Sequence, residues 1–122
     1  LDIPSGGRVE RCIWAHPLLD HELVIRFPQL SLDGPLHGKY GFADSALADP
    51  SGAPITFRVL VDGVEKIKRV VPNKGGWNSF SLAPSPAKPV ELSVHVSAPN
   101  DGRRHFCFDA EIAPAPQRNA SR

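Results

Sequence analysis

Apolar and polar residues alternate along much of the chain, and the clearest alternation lies in residues 55–71. Every second position of residues 55–61 is apolar, as is typical of a strand with one buried face. This apolar set is Ile55, Phe57, Val59 and Val61. Asp62-Gly63 follows and favours the positive backbone dihedrals of a tight turn. Residues 64–71 predict the returning strand of a hairpin, whose apolar face needs a second layer.

Similar patterns predict the rest of the fold. Six further strands are expected at residues 9–15, 22–32, 36–44, 77–82, 90–97 and 105–112. Residues 1–7 are expected to form an irregular lead-in, and the proline-rich connector 83–89 is not expected to be regular structure. No segment has the pattern of an amphipathic helix. The sequence therefore predicts an all-β protein, a two-layer antiparallel β-sandwich or jelly roll of about eight strands.

Single residues refine these strands. Pro28 predicts a bulge or a sheet edge within strand 22–32. Gly38 and Gly41 predict a strand that other groups approach closely. His95 falls on the polar face of strand 90–97, so we expect it to be exposed.

The totals limit the class of protein. A chain of 122 residues suits one domain, which we place at residues 1–112, with residues 113–122 as a disordered tail. The net charge of +1 gives no electrostatic case for nucleic acid. No apolar run approaches the roughly 20 residues that cross a bilayer. The chain begins at Leu1 and has no Met, which suggests either an artificial start or a removed leader.

The two cysteines lie in the first and the last apolar runs. Terminal strands of a two-layer β domain are often neighbours, so Cys12 and Cys107 are candidates for a disulfide. Two separate buried thiols are the alternative. A disulfide would indicate an oxidising compartment, so we expect a secreted, periplasmic or cell-surface protein.

Several motifs within residues 22–112 resemble a known family. They are Leu36-x-Gly-x-x-Gly-Phe-Ala-Asp44, residues 54–63, Trp77-x-x-Phe80, Leu92-x-Val-x-Val96 and Gly102-x-x-His105-x-x-x-Asp109-Ala110. Together they look like the novel carbohydrate-binding module family attached to some bacterial glycoside hydrolases. The resemblance implies a galactose-binding-like jelly roll. It also implies a non-catalytic module of an exported bacterial protein that binds glycan through loops at one end of the sandwich.

Carbohydrate binding requires aromatic faces for the sugar ring and polar groups for its hydroxyls. The candidate ligand-binding residues are Tyr40, Asn73, Trp77 and Arg103. Tyr40 lies between two glycines, where bare backbone would leave its ring accessible, and Trp77 lies where a loop enters a strand. A core position for each ring, and a solvated loop position for Asn73 and Arg103, is the alternative. We expect Trp14, which shares a strand face with Cys12, in the core.

The sequence gives little support for a metal or for catalysis. Asp44 and Asp109 are candidates for a structural calcium, but no clustered acidic loop accompanies them, and no other cofactor is expected. No nucleophile-elbow, phosphate-loop or zinc-protease motif occurs, so we predict no enzyme. A carboxylate pair such as Glu65 and Glu111 would have to be assembled by the fold. The alternative function is a structural or adhesive domain of a cell-surface or periplasmic protein, which binds protein through a sheet edge or residues 83–89.

Overall fold

The computed structural model describes residues 2–5, 8–14, 22–42, 54–72, 76–98 and 106–113, with the backbone alone for residues 2–5, 8–11 and 14. These residues form ten β-strands and no helix. The strands are β1 Asp2–Ser5, β2 Arg8–Arg11, β3 Ile13–Trp14, β4 Leu23–Leu32, β5 Leu36–Phe42, β6 Ile55–Val61, β7 Val64–Val71, β8 Asn78–Leu82, β9 Ser85–Ser97 and β10 Phe106–Ile112.

Strands β3 to β10 form two four-stranded antiparallel sheets that pack face to face. The first sheet has the order β3-β10-β5-β8 and the second has the order β4-β9-β6-β7. Apart from the β6–β7 hairpin, each strand lies in the opposite sheet from the strand before it. This order is that of a jelly roll, so the predicted two-layer β-sandwich is confirmed. Strands β1 and β2 form a separate two-stranded sheet.

An aromatic cluster lies between the two sheets. Phe57, at the middle of β6, is fully buried and its ring stacks on Tyr40 with centroids 4.9 Å apart. The Phe57 ring is also surrounded by three further rings, with centroid distances of 5.3 Å to Phe80, 5.7 Å to Phe106 and 6.0 Å to Phe108. Phe57 comes from the second sheet and the other four rings come from the first, so the cluster holds the two layers together.

The hairpin prediction is confirmed in detail. Asp62 and Gly63 have φ of 50° and 79°, the positive values that a two-residue turn with the right twist requires. The turn is also attached to β9. The Asp62 amide donates to the Glu91 carbonyl, and the Glu91 amide donates to the Asp62 carboxylate, each at 2.8 Å.

Proline affected the strands in two ways. Pro28 does interrupt a strand: β4 has a register shift between Phe27 and Leu30, where Gln29 adopts a φ of 56°. The prediction that residues 83–89 are not regular structure holds for residues 83–84 and is wrong for residues 85–89, because β9 begins at Ser85. The pairing of β9 with β4 is irregular there, with Ser85 opposite Leu32 and Val90 opposite Leu30. Irregular pairing tolerates prolines, which need no ladder partner for a missing amide hydrogen.

The N-terminal prediction was also wrong. Residues 2–5 form β1 instead of an irregular lead-in, and the expected strand 9–15 is divided into β2 and β3 at Cys12. The change of partner explains the division, because β2 pairs with β1 while β3 pairs with β10. Of the expected disordered tail, residues 113–122, Ala113 is described and donates its amide to the Pro35 carbonyl at 2.8 Å, and residues 114–122 lie outside the described residues. The described part of the chain has no helix of the length and hydropathy that crossing a membrane requires.

Candidate functional site

A disulfide joins the first sheet to the segment that leads into it. Cys12 and Cys107 are bonded, with Cα atoms 5.7 Å apart, so the predicted bridge is confirmed and the separate thiols are excluded. Both residues are buried, at 5% and 0% exposure, and Trp77 packs against them. The bridge lies on the outer face of the first sheet, since the neighbours Phe106 and Phe108 point into the core.

Trp77 is held at this outer face by a glycine as well as by the disulfide. A side chain on Gly41 would lie 3.2 Å from the Trp77 ring and 2.6 Å from the Gly76 carbonyl oxygen. The absence of a side chain at Gly41 therefore lets the indole and the residue 76 backbone come close to β5. Trp77 remains half-buried, so part of its ring contributes to the surface.

Two rows of polar side chains cross the sheet next to Trp77. In one row Lys39 of β5 is paired with Asp109 of β10 and with Ser79 of β8. In the next row His37 is paired with Glu111 and with Ser81. We call this surface the Trp77 face; its residues are Trp77, His37, Lys39, Ser79, Ser81, Asp109 and Glu111.

The polar groups of the Trp77 face border two shallow hollows. One, of about 230 Å³, lies between β5 and β10 beside Lys39 and Asp109, whose ammonium and carboxylate are 3.9 Å apart. That distance gives attraction without a direct hydrogen bond. The other, of about 320 Å³, lies beside β8 and includes the Arg69 side chain from the second sheet. His37 borders both hollows, so the polar groups form one continuous surface.

Of the predicted ligand residues, the structure describes Tyr40 and Trp77, and these two lie on opposite faces of the first sheet. Trp77 lies on the outer face, but Tyr40 is only 6% exposed and its ring packs in the core against Phe57. The expectation of an accessible Tyr40 ring is therefore not met, because alternate β5 residues face opposite sides and Tyr40 is on the inner side. Asn73 and Arg103 lie outside the described residues.

Sequence reasoning missed most of the Trp77 face. The sequence predicted no ligand role for His37 or Lys39, and it predicted Asp109 only as a calcium ligand. The alternation within β5 was a usable signal, since His37 and Lys39 lie on one face of the strand and the buried Leu36 and Tyr40 lie on the other. The partners on β10 and β8 depend on long-range pairing, which local pattern does not reveal.

A second polar cluster lies on the outer face of the second sheet. Arg58 donates to both carboxylate oxygens of Glu22, at 2.9 and 3.1 Å, and to Glu65 at 3.3 Å. The Glu22 carboxylate also lies 3.1 Å from His95 Nδ1. Burial alone would raise the pKa of Glu22, but the hydrogen bonds from Arg58 and His95 outweigh it. They hold this pKa below its ordinary value of 4.5.

His95 was expected to be exposed and is not, with only 9% of the residue accessible. The reason is its place on the central strand β9, where Glu22 contacts one ring nitrogen and Ser93 the other. The Ser93 hydroxyl lies 2.9 Å from His95 Nε2. The Ser93–His95–Glu22 chain has the connectivity of a hydrolytic triad. Ser93, however, is only 3% exposed, which leaves no approach for a substrate carbonyl.

Other catalytic and metal arrangements are equally unsupported by the geometry. Glu65 and Glu111 lie on the outer faces of different sheets, so they do not form a carboxylate pair. No group of three or more metal-ligating side chains was found in the part of the chain that is described. Asp109 is paired with Lys39, and Asp44 lies outside that part.

Comparison with known proteins adds no family. No protein-family model matches the chain. No curated protein matches it either. The class of protein therefore rests on the fold and the surface: a disulfide-bonded β-sandwich of jelly-roll topology with an aromatic and polar outer face.

Proposed function

We propose that the protein is a non-catalytic carbohydrate-binding module of an exported bacterial protein, and that the Trp77 face binds the glycan. The observation that carries the proposal is the position of Trp77, a half-buried ring fixed beside rows of charged and hydroxyl side chains. A sugar presents an apolar ring face and a rim of hydroxyls, and the Trp77 face offers a partner for each.

The electrostatics of the Trp77 face support polar recognition. Lys39 and Asp109 are 30% and 33% exposed, so they supply a donor and an acceptor at a partly desolvated surface. Because they lie 3.9 Å apart, a hydroxyl group between them can donate to the carboxylate and accept from the ammonium. His37 and Ser79, on adjacent strands, extend this surface toward the second hollow.

The disulfide supports both glycan binding at the Trp77 face and the export of the protein. It packs under Trp77 and restrains the ring, which lowers the conformational entropy lost when a sugar stacks on it. Disulfides persist mainly in oxidising compartments, in keeping with export. The galactose-binding-like resemblance implies a site at the loop ends of the sandwich, whereas the site proposed here lies on a sheet face.

A glycan array followed by calorimetric titration of the selected glycan tests the proposal. Trp77→Phe keeps an apolar ring against the disulfide and is expected to weaken binding. Trp77→Ala is expected to weaken it roughly tenfold or more, as for other aromatic anchors. Lys39→Met removes the ammonium and should weaken binding with little effect on folding. Val70→Ala, at a 64% exposed position of the second sheet, is the control and should bind as wild type.

Silence of the folded protein across a broad array would contradict the proposal. Wild-type binding by Trp77→Ala would place the glycan elsewhere. One observation favours the alternative of a protein-interaction domain: residues 86–89 are all exposed at the start of β9 and include Pro86 and Pro89. Extended proline-containing segments are common recognition elements. In that case binding to a protein partner would depend on residues 86–89 and not on Trp77.

A further inference from the structure

A second concave site lies at one end of the sandwich, where the β6–β7 turn approaches the β8–β9 connection. It is a cavity of about 410 Å³, which falls within the range of roughly 300 to 1,000 Å³ typical of small-molecule sites. Most of its wall is apolar and is formed by Leu32, Val61, Val64, Leu82, Ala83 and Pro84. None of the described residues that line it belongs to the Trp77 face, so it is a separate site.

The apolar wall combines a buried floor with an exposed side. Leu32 and Leu82 are 1% and 8% exposed and form part of the core. Val64 is 55% exposed, a large value for an apolar residue in a strand. An apolar ligand in the cavity would cover Val64 and would rest on the Leu32 and Leu82 side chains. Removal of this surface from water would favour binding.

A β-bulge brings one cation to the cavity. Leu60 pairs with Glu65 and the adjacent Val59 pairs with Ile67, so Lys66 is the extra residue on β7. Bulges change the direction of a side chain, and here Lys66 lines the cavity. Within the described ranges, no carboxylate lies within ion-pair distance of the Lys66 ammonium.

The turn beside Lys66 is held firmly. Asp62 also lines the cavity, but its carboxylate accepts a hydrogen bond from the Glu91 amide at 2.8 Å. The Asp62 amide donates to the Glu91 carbonyl at the same distance, which fixes the turn to β9. The cavity wall is therefore preorganised, and binding requires little ordering of this segment.

We propose that this cavity binds a small amphipathic carboxylate. Its apolar body contacts Leu32, Val64 and Leu82, and its carboxylate pairs with the Lys66 ammonium. An engineered cavity of about 150 Å³ accepts benzene, so the larger space here accommodates an aliphatic chain of medium length. Lys66 favours an anionic head group, because the other charged lining residue, Asp62, already accepts a hydrogen bond from the Glu91 amide. A wholly polar ligand would leave the apolar wall uncovered.

Titration with sodium octanoate, followed by backbone amide chemical shifts, tests the proposal. In wild type the shifts should concentrate at Val61, Val64 and Lys66, and octanoate should bind about fivefold more tightly than octanol. Lys66→Met keeps an unbranched apolar side chain and should remove this preference while octanol binding persists. Lys68→Met is the matched control, because Lys68 pairs with Arg58 on the outer face of the same hairpin. It should retain the preference.

Three results would overturn the proposal. In the first, millimolar octanoate leaves the amide shifts of the cavity residues unchanged. In the second, octanoate shifts exposed apolar residues throughout the protein. In the third result, the Lys66→Met variant still binds octanoate more tightly than octanol, and it also self-associates. That result would make Lys66 a charge that protects the edge strand β7 from pairing with another chain. Unchanged amide spectra outside the substituted positions establish that both variants are folded.

Discussion

Removal of the Cys12–Cys107 disulfide by a Cys12→Ala/Cys107→Ala double substitution should lower stability substantially. The bridge joins residues 95 positions apart, so it closes almost the whole sandwich into one covalent loop. In the unfolded chain this loop restricts the available conformations, and the substitution removes the restriction. Both cysteines are also buried against Trp77, so the variant loses packing as well.

The magnitude follows from the loop length. Chain entropy for a loop of this size gives about 4.7 kcal/mol at room temperature. The entropy of unfolding is about 2.1 cal/mol/K per residue, or about 0.26 kcal/mol/K for 122 residues. The melting temperature should therefore fall by about 18 °C. Since a domain of this kind is stable by about 5 to 15 kcal/mol, the variant should retain at most about 10 kcal/mol.

Thermal and guanidinium unfolding, followed by circular dichroism, measure the effect. Wild type unfolded and refolded in strong reductant is the control, because it retains both cysteine side chains and lacks only the bond. The reduced protein and the double variant should share most of the loss. A fall of only a few degrees in both would refute the reasoning from loop length. A loss confined to the double variant would assign the effect to packing.

Three further predictions concern the two sheets. The pKa of Glu22 is lowered, so its contribution to stability is complete above the ordinary value of 4.5 and is lost as pH falls below it. The stability difference between wild type and Glu22→Gln should therefore shrink in acid, and a constant difference in urea midpoints would contradict this. Gly38→Ala should lower the free energy of unfolding by about 1 to 3 kcal/mol, because the new methyl would lie 2.3 Å from the Phe80 ring and 2.7 Å from a backbone oxygen. A wild-type melting temperature for this variant would disprove that crowding. Phe57→Ala should cost about 3 to 5 kcal/mol in denaturant titration, whereas Val70→Ala should stay within about 0.5 kcal/mol; similar losses would dispute the central role of Phe57.

The sequence was most informative where the determinants are local. Asp62-Gly63 supplies the dihedrals of its turn without help from the rest of the chain, so the hairpin was predictable. Strict alternation likewise identified the buried face of β9, including Val94 and Val96. The disulfide is not a local feature, and the sequence offered it beside two separate buried thiols because the first and last strands of such a domain are often neighbours.

The sequence was least informative about features that depend on which strands pair with each other. Residues 83–89 were assigned to a connector because prolines weaken ladders, yet irregular pairing with β4 accommodates them. His95 has a polar-face position, but partners from distant segments bury it. For the Trp77 face, the pairing of Lys39 with Asp109 depends on sheet order, which no local window contains. Tyr40 shows the same limit, since neighbouring glycines do not determine which side of β5 its ring takes.

The strand order has a consequence for synthesis on the ribosome. The last two strands in the chain, β9 and β10, each occupy an interior position of a sheet. While a nascent chain still lacks residues 85–112, β4 has no neighbour in its layer and β3 is separated from β5 by a gap. Neither sheet can be completed until β9 and β10 have been synthesised. The complete sandwich therefore forms late, and the oxidation of the Cys12 and Cys107 thiols to a disulfide by an external oxidant must follow the emergence of the final strand.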